Sequence, residues 1–136
     1  MRRGFRREIE ALDEVFRFLE DFCDAADVDD RACFTINLVV EEIFTNMVRH
    51  NSGGDEVIDL EIERTGSLLH LRLTDSGVER FDPAEVPRPS IEADIGDRRP
   101  GGLGLYLVQT MVDDVSYTYE PGTRQMRVSV TKRLES

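Results

Sequence analysis

A chain of 136 residues with 40% hydrophobic and 33% charged content has the makeup of a soluble globular domain with a core of its own. Its formal net charge of −11 repels phosphate backbones, which argues against nucleic acid as the main partner and leaves a basic protein surface or a small, locally held ligand. No apolar run approaches the ~20 residues that span a bilayer, and no signal-peptide core follows the basic start Met1-Arg2-Arg3-Gly4-Phe5-Arg6-Arg7, so no membrane association and a cytoplasmic location are expected.

Residues 3–8 suffice for a short edge strand at most. From Ile9 to Ala26, Leu12, Val15, Phe16, Leu19, Phe22 and Cys23 recur at helical spacing and predict a first helix. Asp24, Asp27, Asp29 and Asp30 then crowd a turn. Asp29 is a good N-cap because its carboxylate can accept from the free N–H groups of a helix start. A second helix is predicted from about Asp30 to His50, stopped by Asn51-Ser52-Gly53-Gly54. Its apolar stripe is Ile36, Val39, Val40, Ile43, Phe44 and Met47. Glu42 and Asn46 lie one turn apart, just past one edge of that stripe. Cys23 and Cys33 both fall on apolar stripes and match no zinc spacing, so reduced core thiols are expected.

A period of two follows. Ile58, Leu60 and Ile62 alternate with Asp59, Glu61 and Glu63; Thr65-Gly66-Ser67 turns the chain; Leu69, Leu71 and Leu73 alternate with His70, Arg72 and Thr74. This predicts an antiparallel hairpin with one buried face. Asp75 shares the parity of Leu73, so a strand that reaches it points its carboxylate into the core side, a costly place without a partner.

Residues 82–101 carry Pro83, Pro87, Pro89 and Pro100 with no sustained period, the pattern of a long functional loop or lid. Residues 90–95 have room for one helical turn, and Arg98 and Arg99 sit near the loop's end. Gly101-Gly102-Leu103-Gly104 leads into a helix over about 105–112 that is apolar on two faces. Closing strands are predicted at Val115 to Glu120 and Gln125 to Lys132, with Met126, Val128 and Val130 facing inward and Pro121-Gly122-Thr123 between them. The order predicts an α+β fold: one mixed, mostly antiparallel sheet with helices on one face. The other face carries Asp59, Glu61, Glu63, Arg72, Gln125 and Arg127.

The chemistry-bearing residues cluster in three stretches. Gly101, Gly102 and Gly104 stand where a loop becomes a helix. Glycine lets backbone approach a ligand, and the first helical N–H groups are free donors, which suits a phosphate; a tight helix entry needs the same residues. No Lys-Ser or Lys-Thr follows, so this is no P-loop. Asp75-Ser76-Gly77 offers either an acceptor for an exocyclic amine or a turn aspartate capping Gly77. Glu42 and Asn46 can serve as a base and a magnesium ligand beside phosphates. Arg98 and Arg99 can pair with phosphate oxygens or remain a solvated pair of loop charges.

Taken in order, E-I-F-T-N (Glu42 to Asn46), D-S-G-V-E-R-F-D-P (Asp75 to Pro83) and P-G-G-L-G-L-Y-L (Pro100 to Leu107) resemble the three boxes of the GHKL ATP-binding superfamily. The branch they most resemble is that of the bacterial anti-sigma-factor serine kinases, and the resemblance covers nearly the whole chain. It implies one histidine kinase-like domain over residues 1–136, a two-layer Bergerat sandwich, with ATP held between the helices and a lid over about 82–101. It implies Asn46 as the magnesium ligand and Glu42 as the general base. It further implies Asp75 as acceptor for the adenine amino group, Gly77 as the residue that lets the base approach, and Gly102 and Gly104 lining the phosphates. Gly101 and Leu103 belong to the same nucleotide loop; a γ-phosphate contact from Arg98 or Arg99 is expected from arginine chemistry and is not implied by the resemblance. The implied activity is transfer of the ATP γ-phosphoryl group to a serine of a STAS-type antagonist, with a sigma factor as second partner and a homodimer as the expected assembly. Glu79 stands where the wider superfamily often has a second glycine, and Asn51-Ser52 where the branch often has Ala-Tyr. The alternative is a nucleotide-dependent protein-binding module without significant kinase activity.

Overall fold

The alternating stretches form the middle of the sheet. The computed structural model describes residues 1–50, 56–77 and 108–134. β1 (Arg2–Arg6) precedes two helices, α1 (Leu12–Ala25) and α2 (Asp30–His50). Then come β2 (Val57–Thr65), β3 (Leu68–Asp75), β4 (Asp114–Glu120) and β5 (Gln125–Arg133). β2 and β3 pair from Ile58↔Asp75 to Thr65↔Leu68, leaving Gly66 and Ser67 as a two-residue turn. Gly66 has φ +63°, a left-handed value that suits the first turn residue of a hairpin whose turn must match the twist of its strands.

The strand order is β1-β2-β3-β5-β4, and each of the four ladders is antiparallel. β3 and β4 therefore run in the same direction with β5 between them, so the chain that joins them is a crossover. Its last part, residues 108–111, is helical and buries Val108 completely.

The helices cover one face of the sheet. Val15, Leu19, Ile36, Val39, Val40, Ile43 and Phe44 from the helices form one core with Ile58, Leu60, Leu71, Leu73, Val128 and Val130 from the strands. On the other face Glu61, Glu63 and Arg72 are exposed, and Asp59, Gln125 and Arg127 are half-buried. Arg72 faces Glu61 across the β2–β3 ladder at 3.7 Å. β1, expected over residues 3–8, is a five-residue edge strand that buries only Phe5. Phe5 meets Phe18 edge-on, with ring centroids 5.6 Å apart. Phe16 and Phe18 flank the α1 stripe on opposite sides. The sequence predicts Phe16 inside, but the position of β1 makes Phe18 the buried one and leaves Phe16 half-buried.

The start of α2 is tied down three ways. The Asp29 carboxylate accepts from the Ala32 N–H at 2.8 Å, as its N-cap position predicts. The Arg64 guanidinium, reaching from the end of β2, donates to the carbonyls of Ala26 and Asp27, which end α1. Cys23 and Cys33 are joined by a disulfide between α1 and α2, their Cα atoms 6.2 Å apart. This corrects the expectation of reduced thiols. The apolar stripes that carry the buried Cys23 and the half-buried Cys33 face each other across the short Asp-rich turn, at a separation within disulfide reach.

Candidate functional site

The C-terminal half of α2 buries Val40, Ile43, Phe44 and Met47 against the sheet. That anchoring fixes the rotation of the helix and sets where its polar shoulder points. Asn46 is buried on this shoulder, only 7% exposed, and its Nδ2 donates to the Glu42 carbonyl one turn back at 2.7 Å. With the amide nitrogen committed, Oδ1 is the atom of Asn46 that suits a hard cation. Glu42 is partly buried. Burial raises its pKa above the ordinary carboxylate value, the charge of Glu41 raises it further, and Arg49 pulls it back down. A carboxylate so disposed is a better proton acceptor than a solvated one.

Asp75 ends β3 with its side chain fully buried, on the face its parity predicts. In the ladders it stands between Ile58 and Met126, two apolar neighbours. Its partner is Arg7, immediately after β1. Arg7 Nη1 donates to Asp75 Oδ2 at 2.9 Å, and Arg7 Nη2 forms an ion pair with Asp75 Oδ1. Nη1 also donates to the Met47 carbonyl at 3.1 Å. Met47 belongs to the last four residues of α2, whose carbonyls have no acceptor role within the helix, so an arginine here satisfies an orphan group and complements the negative end of the helix dipole. The Arg7 backbone is held in turn by its N–H to the Glu56 carbonyl at 2.7 Å. Beyond Asp75 the chain turns at Gly77, whose φ of +69° is left-handed, and Gln125 donates to the Ser76 hydroxyl at 3.3 Å.

Arg7 thus joins the end of α2, which carries Glu42 and Asn46, to the end of β3, which carries Asp75. Arg98, Arg99, Gly101, Gly102, Leu103 and Gly104 lie outside the described residues. Arg7 escapes the sequence patterns, although one signal points to it. Phe5, Ile58 and Asp75 lie side by side in the sheet, and Arg7 has the parity of Phe5, so a basic side chain on the core side sits near a carboxylate that needs one.

Among the described residues no group of three or more His, Cys, Asp or Glu side chains could hold a metal ion. Asn46 offers an amide oxygen, and magnesium in phosphate sites commonly completes its shell with substrate phosphates and water. No helix among the described residues is long and apolar enough to cross a membrane.

A family profile described as a histidine kinase-like ATPase domain matches residues 5–132. The chain belongs to this family. Its curated relatives include the serine/threonine-protein kinase BtrW of Bordetella bronchiseptica, 28% identical over 108 residues, covering 78% of this chain and 75% of that one. They also include the serine-protein kinase RsbW of Listeria monocytogenes, 32% identical over 93 residues, covering 64% of this chain and 59% of that one. The chain thus spans less than two thirds of the RsbW relative. Among solved structures, the Acinetobacter baumannii histidine kinase AdeS matches with a TM-score of 0.49 at 17% identity, over 100% of this chain and 68% of that one. The first sequence box falls in the C-terminal half of α2 and the second begins at Asp75, the end of β3; the third lies outside the described residues.

Proposed function

We propose that this histidine kinase-like ATPase domain is a magnesium-ATP-dependent protein serine kinase that phosphorylates a STAS-type anti-sigma antagonist and holds a sigma factor when unphosphorylated antagonist is absent. The observation that carries the reading is Asp75, a fully buried carboxylate kept at the end of β3 beside the polar end of α2. Buried carboxylates are costly and mark positions retained for more than packing. The serine-kinase names of the BtrW and RsbW relatives support the choice of acceptor.

Asp75 accepts from the exocyclic amine of adenine, and Gly77 gives the base room. Gly101, Gly102, Leu103 and Gly104 offer backbone N–H groups to the phosphates, and Arg98 or Arg99 pairs with the γ-phosphate oxygens. Asn46 would hold magnesium through its amide oxygen, and the ion would supply neutralisation of the phosphate charge. Glu42 takes the proton of the acceptor serine as its oxygen attacks the γ-phosphorus. The bond from that phosphorus to the β,γ-bridging oxygen breaks, and ADP leaves with the electron pair. Burial raises the pKa of Glu42 and makes it a stronger proton acceptor for this task than a solvated carboxylate.

The test is transfer of label from γ-labelled ATP to purified STAS-type proteins of the same host, with wild type and Glu42→Ala. The reading expects serine labelling that Glu42→Ala abolishes while ADP affinity is retained. Labelling that persists in Glu42→Ala would remove the base assignment. Nucleotide binding with no labelling of any STAS protein would leave a nucleotide-dependent binding module.

A further inference from the structure

A carboxylate that reads an amine has to be held in one orientation, and in this chain a residue outside the three sequence boxes holds it. We infer that Arg7 is a positioning residue for base recognition: its guanidinium fork locks Asp75 as the acceptor for adenine and fixes that acceptor to the end of α2. The inference rests on the reading of Asp75 as the base-binding residue.

Three features of the geometry carry it. First, the pairing is two-pronged, Nη1 to Oδ2 at 2.9 Å and Nη2 to Oδ1, which fixes the plane of the carboxylate. A carboxylate has about four lone-pair sites, so these two N–H bonds do not by themselves exhaust it. Second, Arg7 reaches Met47, the residue next to Asn46, at 3.1 Å. One side chain therefore sets the spacing between the adenine end and the magnesium end of the proposed site. Third, Arg7 is itself fixed. Its backbone N–H is bonded to Glu56 at the entry to β2, and its side chain is only 10% exposed. An arginine held at both ends can transmit position, whereas a mobile surface arginine could not.

A purely structural ion pair would affect all nucleotides alike, through the stability of the fold. A positioning residue for base recognition affects those that carry the exocyclic amine. The experiment is therefore titration calorimetry of magnesium-ADP and magnesium-IDP, which lacks the amine, on wild type, Arg7→Gln, Arg7→Lys, Asp75→Asn and the Arg7→Gln/Asp75→Asn double variant. Wild type should prefer ADP to IDP. Arg7→Gln should lose about tenfold or more in ADP affinity with a much smaller loss for IDP, so that the preference collapses; Arg7→Lys, which keeps the charge and loses the fork, should fall between. In the Asp75→Asn background the Arg7→Gln change should have little further effect, because the two act as a unit.

If Arg7→Gln does not fold, judged by circular dichroism, Arg7→Lys carries the same comparison. Equal losses for ADP and IDP, or an unchanged preference, would overturn the inference. Tighter ADP binding in Arg7→Gln would also overturn it, and would make Arg7 a competitor of the base. Failure of the underlying reading looks different: wild type itself would then bind neither nucleotide, or would not distinguish them.

Discussion

The two ends of α2 are built on opposite principles. At its start, Asp29 caps the helix, the Cys23–Cys33 disulfide clamps it to α1, and Arg64 closes the neighbouring helix end. Each of these devices favours the folded chain over the unfolded one. A groove of about 540 Å³ runs between α1 and α2 here, lined by Phe34, Leu38 and the two cysteines among others, and it contains none of the residues read as functional. At its other end, α2 sets a buried amide and a carboxylate with a raised pKa beside a second, fully buried carboxylate. These groups weaken a core that leucine would fill better. An end that stabilises and an end that costs stability, on one helix, separate scaffold from site more clearly than either would alone.

Mutations can break this contrast. The largest effect is expected at Glu42, where Glu42→Ala should lower phosphotransfer by roughly 10²- to 10⁴-fold, the usual worth of a general base, with nucleotide affinity little changed. Rates measured at saturating ATP check this, and an equal loss in ADP affinity would assign Glu42 to binding instead. Next comes the ion pair. Removing one member of a buried pair typically costs about 3–5 kcal/mol, while replacing both with apolar residues is often near neutral. Arg7→Met should therefore lower stability in urea denaturation by about 3 kcal/mol, and Arg7→Met/Asp75→Leu should regain most of that while abolishing nucleotide binding. A double variant no more stable than Arg7→Met would mean that the pair is there for stability.

At the scaffold end the sign reverses: changes should cost stability and spare the site. Opening the disulfide, which closes a span of ten residues, by Cys23→Ser/Cys33→Ser should cost about 2.7 kcal/mol on the loop-entropy scale. The ADP dissociation constant should not move. Asp29→Ala should cost about 1 kcal/mol by loss of the cap, again with nucleotide affinity unchanged. A weakened ADP affinity in either variant would show that the two ends are coupled.

The smallest effect is electrostatic. The acid limb of the pH–rate profile should lie above the ordinary glutamate range, because activity needs ionised Glu42 and burial raises its pKa; activity is lost as pH falls through that value. Glu41→Gln removes a negative neighbour and should move the limb to lower pH. Arg49→Gln removes a positive one and should move it to higher pH. Shifts in the opposite directions would mean that a different group controls the limb.

Much of the fold was legible because it rests on local patterns. The span of α2 follows from its cap and its stripe, and the hairpin follows from a period of two interrupted by Gly66. The buried face of Asp75 follows from parity alone. What escaped depends on contacts that local patterns do not encode. The Arg7–Asp75 pair needs the register of β1 on β2, between segments about fifty residues apart. Phe18 is buried because β1 places Phe5 against that edge of α1. The disulfide needs two stripes to face each other at the right distance, and each stripe alone reads as an ordinary thiol-bearing core. At the candidate site, the places of Glu42 and Asn46 on α2 and of Asp75 at the end of β3 were legible; the partner that holds Asp75 was not.

The most direct measurement is thermal unfolding of wild type and Asp75→Asn, with and without magnesium-ADP. A ligand at 100 times its dissociation constant adds about 2.7 kcal/mol of stability, a shift of several degrees for a chain of this size. A clear rise in Tm for wild type, absent in an Asp75→Asn protein that is folded, is the expected result. No rise in wild type, or an equal rise in both proteins, would contradict the assignment of the α2–β3 corner as the nucleotide site.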